Sequence, residues 1–235
     1  TQGSSIPRES DAVLYTHAGP EIAVASTKAF VAQITAEYLL GLYLAQIKGT
    51  LFHDEINGIL SSLKAIPEKI DWILKHDSES IQDVAQKLVS QQTFLFLGRN
   101  VGYPVALEGA LKLKEIAYTF TQGFAAGELK HGPFALLSEK TPVVAVCLSG
   151  VTYPVMMSNL KEIKARSAPE VVIGDAGDID AEEIADVFLQ IPKVSETAGV
   201  ILASVVLQML AYKTAVSLGT DVDMPRNLAK SVTVE

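Results

Sequence analysis

An α/β fold, with a mainly parallel sheet flanked by helices, is predicted from three observations. Short apolar runs rich in β-branched residues, such as Val143-Val-Ala-Val-Cys147, alternate with longer segments of helical pattern. A unit of strand, loop, long helix and Gly-Thr occurs twice: Asp11-Ala-Val-Leu-Tyr leads on to Gly49-Thr50, and Asp186-Val-Phe-Leu-Gln leads on to Gly219-Thr220. Hydrophobic residues make up 49% of the 235, enough apolar surface for a real core and too much for a disordered chain.

Taken in order, the short β-branched runs place strands at 12–15, 94–97, 143–147, 171–173 and 187–191. Helical patterns cover 27–48, 55–75, 80–90, 104–118, 155–166 and 196–218. The run from Ala198 to Tyr212 is shorter than the ~20 residues of a membrane span and is interrupted or closed by Gln208 and Lys213, so it reads as a buried helix. In the later copy of the repeat, three further strands and their helices precede the unit; in the earlier copy only ten residues do. The expected organisation is therefore a partial first lobe over 1–50, a helical and charged connector packing outside the sheet over 51–90, a complete second lobe over 91–219 and a tail over 220–235.

Several function classes lose support at once. The net charge of -8 comes from interspersed acids and bases, so nothing resembles a phosphate-neutralising nucleic-acid surface. With one cysteine, Cys147, there is no intramolecular disulfide and no multi-cysteine zinc site, which fits a reducing cytoplasm. His17, His53 and His76 have no metal-site spacing to His131, and no cofactor or metal is expected. No basic, apolar leader opens the chain, so neither secretion nor membrane attachment is expected. Thr1 as an N-terminal nucleophile would need a strand to present it, and Gly3-Ser-Ser-Ile-Pro7 is a poor one.

Three segments could carry chemistry. In Leu107-Glu-Gly-Ala-Leu-Lys-Leu-Lys-Glu-Ile116, the residues Glu108, Lys112 and Glu115 fall on one face of a helix that is apolar almost all round apart from Lys114. Burial there would raise a carboxylate's pKa into the range of a useful proton carrier, while the plainer reading is an ordinary i, i+4 ion-pair row. In Gly123-Phe-Ala-Ala-Gly-Glu-Leu-Lys-His-Gly-Pro133, glycines place His131 at a turn. The tail Asp221-Val-Asp-Met-Pro-Arg-Asn-Leu-Ala-Lys-Ser-Val-Thr-Val-Glu235 lacks a helical period, yet its Pro, Arg, Leu and Val suit docking, which would bring Lys230 to a protein surface.

The segments ALEGALKLKE, AAGELKHGP and PRNLAKSVTVE resemble, in order, the isomerase region of glucosamine-6-phosphate synthases, and Ala23-Val-Ala-Ser-Thr-Lys-Ala-Phe30 resembles the family's entry into the last long helix of its first lobe. The resemblance implies three-layer sugar isomerase (SIS) folds, one partial and one complete here, acting on fructose 6-phosphate to give glucosamine 6-phosphate. It makes Glu115 the base moving a proton between C1 and C2, with Lys112 assisting, and His131 the ring-opening group, contributed by the neighbouring subunit of a homodimer. It makes Lys230 the Schiff-base lysine and brings backbone groups of Val24 and Ala229 to the sugar. Ammonia would come from a glutaminase domain of the parent chain. The family's phosphate turn, of S-x-S-G-x-T type, follows a first-lobe strand that is missing here; Cys147-Leu-Ser-Gly-Val-Thr152 is a near copy expected to be structural. A related phosphosugar isomerase or deglycase, or a non-catalytic sugar-phosphate regulator, is the alternative.

Overall fold

The computed structural model describes residues 2–231. Its centre is a five-stranded, all-parallel sheet of β1 (Thr93–Gly98), β2 (Phe120–Ala125), β3 (Val143–Cys147), β4 (Glu170–Asp175) and β5 (Val187–Ile191), in the order β2-β1-β3-β4-β5. Buried on both faces, β1 and β3 have the continuous apolar runs of a central parallel strand. Successive side chains still alternate between the faces: Phe94, Phe96, Val144, Val146, Val171 and Ile173 enter one apolar layer, and Leu95, Leu97, Val143, Ala145 and Val172 the other.

Helices α1 (Ser5–Glu9), α2 (Lys28–Lys48), α3 (His53–Lys64), α4 (Ile66–His76) and α5 (Ser78–Leu88) precede the sheet. The rest alternate with strands: α6 (Gly102–Ala117), α7 (Tyr153–Lys164), α8 (Ile179–Ile184) and α9 (Glu196–Leu218). On the first face α4, α5 and α6 pack around α9; α7 and α8 cover the second, with two short 3₁₀ turns, Ala126–His131 and Pro133–Leu136.

Four expectations are corrected. No strand forms at 12–15: Val13 and Leu14 are exposed, and without a neighbouring strand to take their hydrogen bonds an apolar run stays irregular. The helix expected over 55–75 is two helices, because Pro67 lacks an N–H and crowds the preceding turn, and it sits in the first turn of α4. The edge strand β2 was not anticipated, since Thr121, Gln122 and Gly123 break any apolar run. The short helices α1 and α8 are not among those predicted from the sequence. Helix α5 of the connector packs on the first face of the sheet, with Ile81, Val84, Ala85 and Leu88 in the main core.

Half of the internal repeat has a close structural counterpart. Gly49 and Gly219 both take left-handed backbone at helix ends (φ 63 and 72), and Thr50 and Thr220 donate backbone N–H bonds to Ala45 and Ala215. The partners of these helices differ. Both α2 and α9 have the length and hydropathy of a membrane span, but α9 is a mostly buried core helix, whereas α2 buries only Leu42 and exposes Leu39, Leu40, Tyr43, Leu44 and Ile47.

Candidate functional site

Two close approaches set the position of α6. A Cβ on Gly98 would overlap the Gly102 carbonyl, so only glycine allows the chain to turn this tightly from β1 into the helix. Gly109 lets Leu207 of α9 press against the helix, at 2.8 Å from where a Cβ would stand. Packed in this way, α6 holds Lys112 with only 3% of its surface exposed. A buried ammonium needs partners. Its Nζ lies 2.6 Å from Glu115 Oε2 and 3.4 Å from Glu108 Oε1, the second contact too poorly aligned to be a hydrogen bond. Burial raises the Glu108 carboxyl above its ordinary range; Lys112 opposes the rise and the charge on Glu115 adds to it. Glu115 is the more open of the two acids, so the cluster presents a carboxylate and an ammonium in contact at the edge of an apolar helix.

A second cluster forms where the tail meets the segment before α2. The Val24 N–H donates to the Asp223 carbonyl at 2.8 Å, so what Val24 can offer a ligand is its own carbonyl. Lys230 Nζ stands 3.9 Å from Glu21 Oε2, and Ala229 beside it is exposed. The tail is tied back to α6 as well: Arg226 donates its backbone N–H to the Tyr118 hydroxyl at 2.8 Å and lays its guanidinium over the Tyr118 ring, while Thr220 Oγ1 donates to the Ile116 carbonyl. Tyr118 closes α6 in left-handed backbone, φ 57, three residues beyond Glu115. Docking of the tail is therefore seen through Lys230. The valines expected to extend it, Val232 and Val234, lie outside the described residues, as does Thr1.

His131 stands apart. It ends the 3₁₀ turn after β2, is exposed, and shares no hydrogen bond or ion pair with Lys112, Glu115 or Lys230 among the described residues. Its loop is nevertheless held firmly to α7. Lys130 pairs with Glu162 at 2.9 Å, Asn159 donates to Glu162 and accepts from Arg99, and Arg166 covers the Phe134 ring.

The near copy of a phosphate turn is already filled with negative charge. The Ser149 N–H donates to Asp175 Oδ2, the Glu196 carboxylate occupies the space above Gly150, and Tyr153 donates to Asp178. Burial, helped by Asp178 and Asp175, pushes the Cys147 thiol up to about 12. A phosphate dianion there would meet carboxylates instead of free N–H groups. Among the described residues, no group of His, Cys, Asp and Glu is placed to hold a metal ion.

Of the seven positions that sequence reasoning singles out or carries over, the structure joins Lys112 with Glu108 and Glu115, brings Val24 against the docked tail that carries Ala229 and Lys230, and leaves His131 separate. Glu21 and Tyr118 were missed; both act through contacts with residues more than one hundred positions away, for which a single sequence carries no signal.

The SIS domain family model matches residues 87–218. Among known proteins, the chain is 54% identical over its whole length to the glutamine–fructose-6-phosphate aminotransferase [isomerizing] of Corynebacterium diphtheriae, and 49% identical over 99% of its length to that of Methanosarcina acetivorans. It spans 38% of the length of each. Among solved structures, the C-terminal domain of glucosamine-fructose-6-phosphate aminotransferase from Francisella tularensis superposes with a TM-score of 0.91 at 35% identity, over 95% of this chain and 63% of that one.

Proposed function

The chain belongs to the SIS-domain family, and we propose that it is the isomerase part of a glutamine–fructose-6-phosphate aminotransferase, which combines fructose 6-phosphate with glutamine-derived ammonia to give glucosamine 6-phosphate and water. The observation that carries this reading is the buried Lys112, held between Glu108 and Glu115 on a helix whose remainder is mostly apolar. An ordinary surface row of ion pairs would be solvated; this one has its cation out of water and one acid shifted upward. Glu115 is the acid with both a partner and an opening to solvent, the combination a proton carrier requires.

In this reading the Lys230 amine adds to the C2 carbonyl of the open-chain sugar, and the carbinolamine loses water to give a protonated imine. Ammonia displaces the lysine from C2, returning it as free amine. Glu115 takes a proton from C1 and one is delivered to C2, leaving an amine on C2 and an aldehyde at C1. Lys112 holds the Glu115 carboxylate in place, Val24 and Ala229 contact the sugar through backbone groups, and His131 opens the ring from the partner subunit of a homodimer. The exposed apolar face of α2 supports a larger assembly around this segment, since a helix of that hydropathy needs cover and the relatives are much longer than this chain. The segment 1–50 is then part of a first lobe, 51–90 the connector, 91–219 the second lobe and 220–235 the catalytic tail. A reducing cytoplasm suits a protein whose one cysteine is a buried free thiol.

The test uses the full-length protein. Borohydride added with fructose 6-phosphate is expected to leave a reduced sugar adduct on the tryptic peptide containing Lys230. Lys230→Arg abolishes it, because a guanidinium keeps the charge and cannot form the imine. An adduct on Lys112, or full turnover by the Arg variant, assigns the carbonyl to the wrong lysine.

A further inference from the structure

Glu21 lies in a stretch without regular secondary structure, yet only 10% of its side chain is exposed. Its two oxygens have different tasks. Oε1 accepts from the Thr27 N–H at 2.8 Å, the Thr27 hydroxyl at 3.1 Å and the Ala29 N–H at 3.4 Å, so it holds the turn that opens α2. Oε2 accepts from the Ser26 hydroxyl at 3.1 Å and faces Lys230 Nζ at 3.9 Å. That separation is within ion-pair reach and beyond a hydrogen bond, so the lysine is oriented without one of its protons being engaged.

We propose that Glu21 is the positioning residue for Lys230, its Oε1 edge fixing the loop and its Oε2 edge holding the lysine of the tail where it meets the sugar. This rests on the reading that Lys230 forms the imine. Three attachments then lay the tail along the site: Asp223 on Val24, Arg226 on Tyr118 and Lys230 on Glu21. Of these, Glu21 alone acts on the reacting side chain; the other two hold backbone. Glu21 is also suited to remain charged. Burial pushes its carboxyl upward, but the backbone N–H bonds from Thr27 and Ala29 and the hydroxyls of Ser26 and Thr27 outweigh that, leaving it below the ordinary range. An acid so stabilised is a poor proton acceptor and a durable anion. It therefore serves the lysine as a fixed charge, first facing the ammonium and then the iminium that replaces it.

The Gln variant separates the two tasks. In Glu21→Gln the amide oxygen can still accept from Thr27 and Ala29, the Ser26 hydroxyl can turn to accept from the new NH2, and a donor now faces the lysine in place of the anion. In the full-length protein at saturating fructose 6-phosphate, this change is expected to slow borohydride trapping on Lys230 by roughly tenfold or more, as for a misplaced reacting group. Glu21→Asp, which keeps the charge, should recover more than half of the lost rate; if the Gln variant melts early, the Asp variant carries the test through its own rate relative to a charge-free Glu21→Ser. Calorimetric binding of the sugar phosphate should be equal in Lys230→Met and in the double variant Glu21→Gln/Lys230→Met, because with the cation gone the charge facing it has no task. A wild-type protein that gives no adduct on Lys230 overturns the underlying imine reading and leaves nothing for Glu21 to position. Normal trapping on Lys230 that is unchanged in Glu21→Gln, equal losses in the Asp and charge-free variants, or weaker sugar binding in the double variant, overturns the positioning role.

Discussion

Glu170 begins β4 with its side chain fully buried and neither carboxylate oxygen hydrogen-bonded, while its backbone N–H and C=O are both taken by Asp186. Burial lifts its pKa from the ordinary 4.5 to about 8; Lys164 opposes the lift and Asp186 adds to it. The folded protein thus keeps this proton where the unfolded chain has released it. The stability it supplies is complete below pH 4.5 and is lost as pH rises through about 8. The slope reaches at most about 1.4 kcal/mol per pH unit. Thermal melts from about pH 5 to pH 8.5 should show Tm falling, and Glu170→Gln should flatten the fall. A residual slope of the same sign is expected, because burial also raises Asp77 and Glu108. Equal slopes in the two proteins would mean that Glu170 is ionised in the fold. Residue identity thus reveals that a Glu stands at the start of a strand, while its depth decides whether it is charged.

At the scale of elements, the site depends on how α6 leaves β1 and leans on α9. Two glycines control this, and they differ in what surrounds them. A methyl at Gly98 meets backbone at Gly102, which cannot move without shifting the helix, so Gly98→Ala should destabilise by about 2–4 kcal/mol. At Gly109 the obstacle is the end of the Leu207 side chain, and alanine gains about 1 kcal/mol of helix propensity in return, so Gly109→Ala should change stability by about 1 kcal/mol or less. For a chain of this size a kcal/mol corresponds to roughly 2–4 °C in Tm, which calorimetric melts resolve. Gly98→Ala should also slow C2 proton exchange, since it displaces the turn that carries Lys112 and Glu115. A reversed order of the two variants would mean that the β1 to α6 junction is soft.

At the scale of the whole molecule, His131 and the Lys112 and Glu115 pair are held by different parts of the fold, the first by the loop clamped to α7 and the second by α6. The proposed function gives them one site completed across two subunits. His131→Ala and Glu115→Gln should each lower turnover of the full-length protein by about 10²–10⁴. Exchanged mixtures of the two should recover up to roughly a quarter of wild-type turnover, because half of the dimers are mixed and one of their two sites is intact. Absence of recovery in dimers shown by mass to be mixed would place His131 and Glu115 in the same subunit's site, or His131 outside it.

The sequence by itself determined the α/β class, four of the five strands and the long helices, because burial on both faces leaves continuous β-branched runs and a buried helix leaves a long apolar one. It also singled out the Glu108, Lys112 and Glu115 face, since spacing on one helix is a local property. Only the tertiary structure decided the rest. The apolar run at 12–15 is no strand for want of a neighbour, whereas polar β2 is one because β1 offers its edge. Two helices with nearly the same Gly-Thr ending have opposite burial, set by what packs against them. The meeting of Glu21 with Lys230, and of Tyr118 with Arg226, depends on where the tail folds back. Periodicity records which side of an element faces the core; it carries no record of which distant segment will lie against the other side.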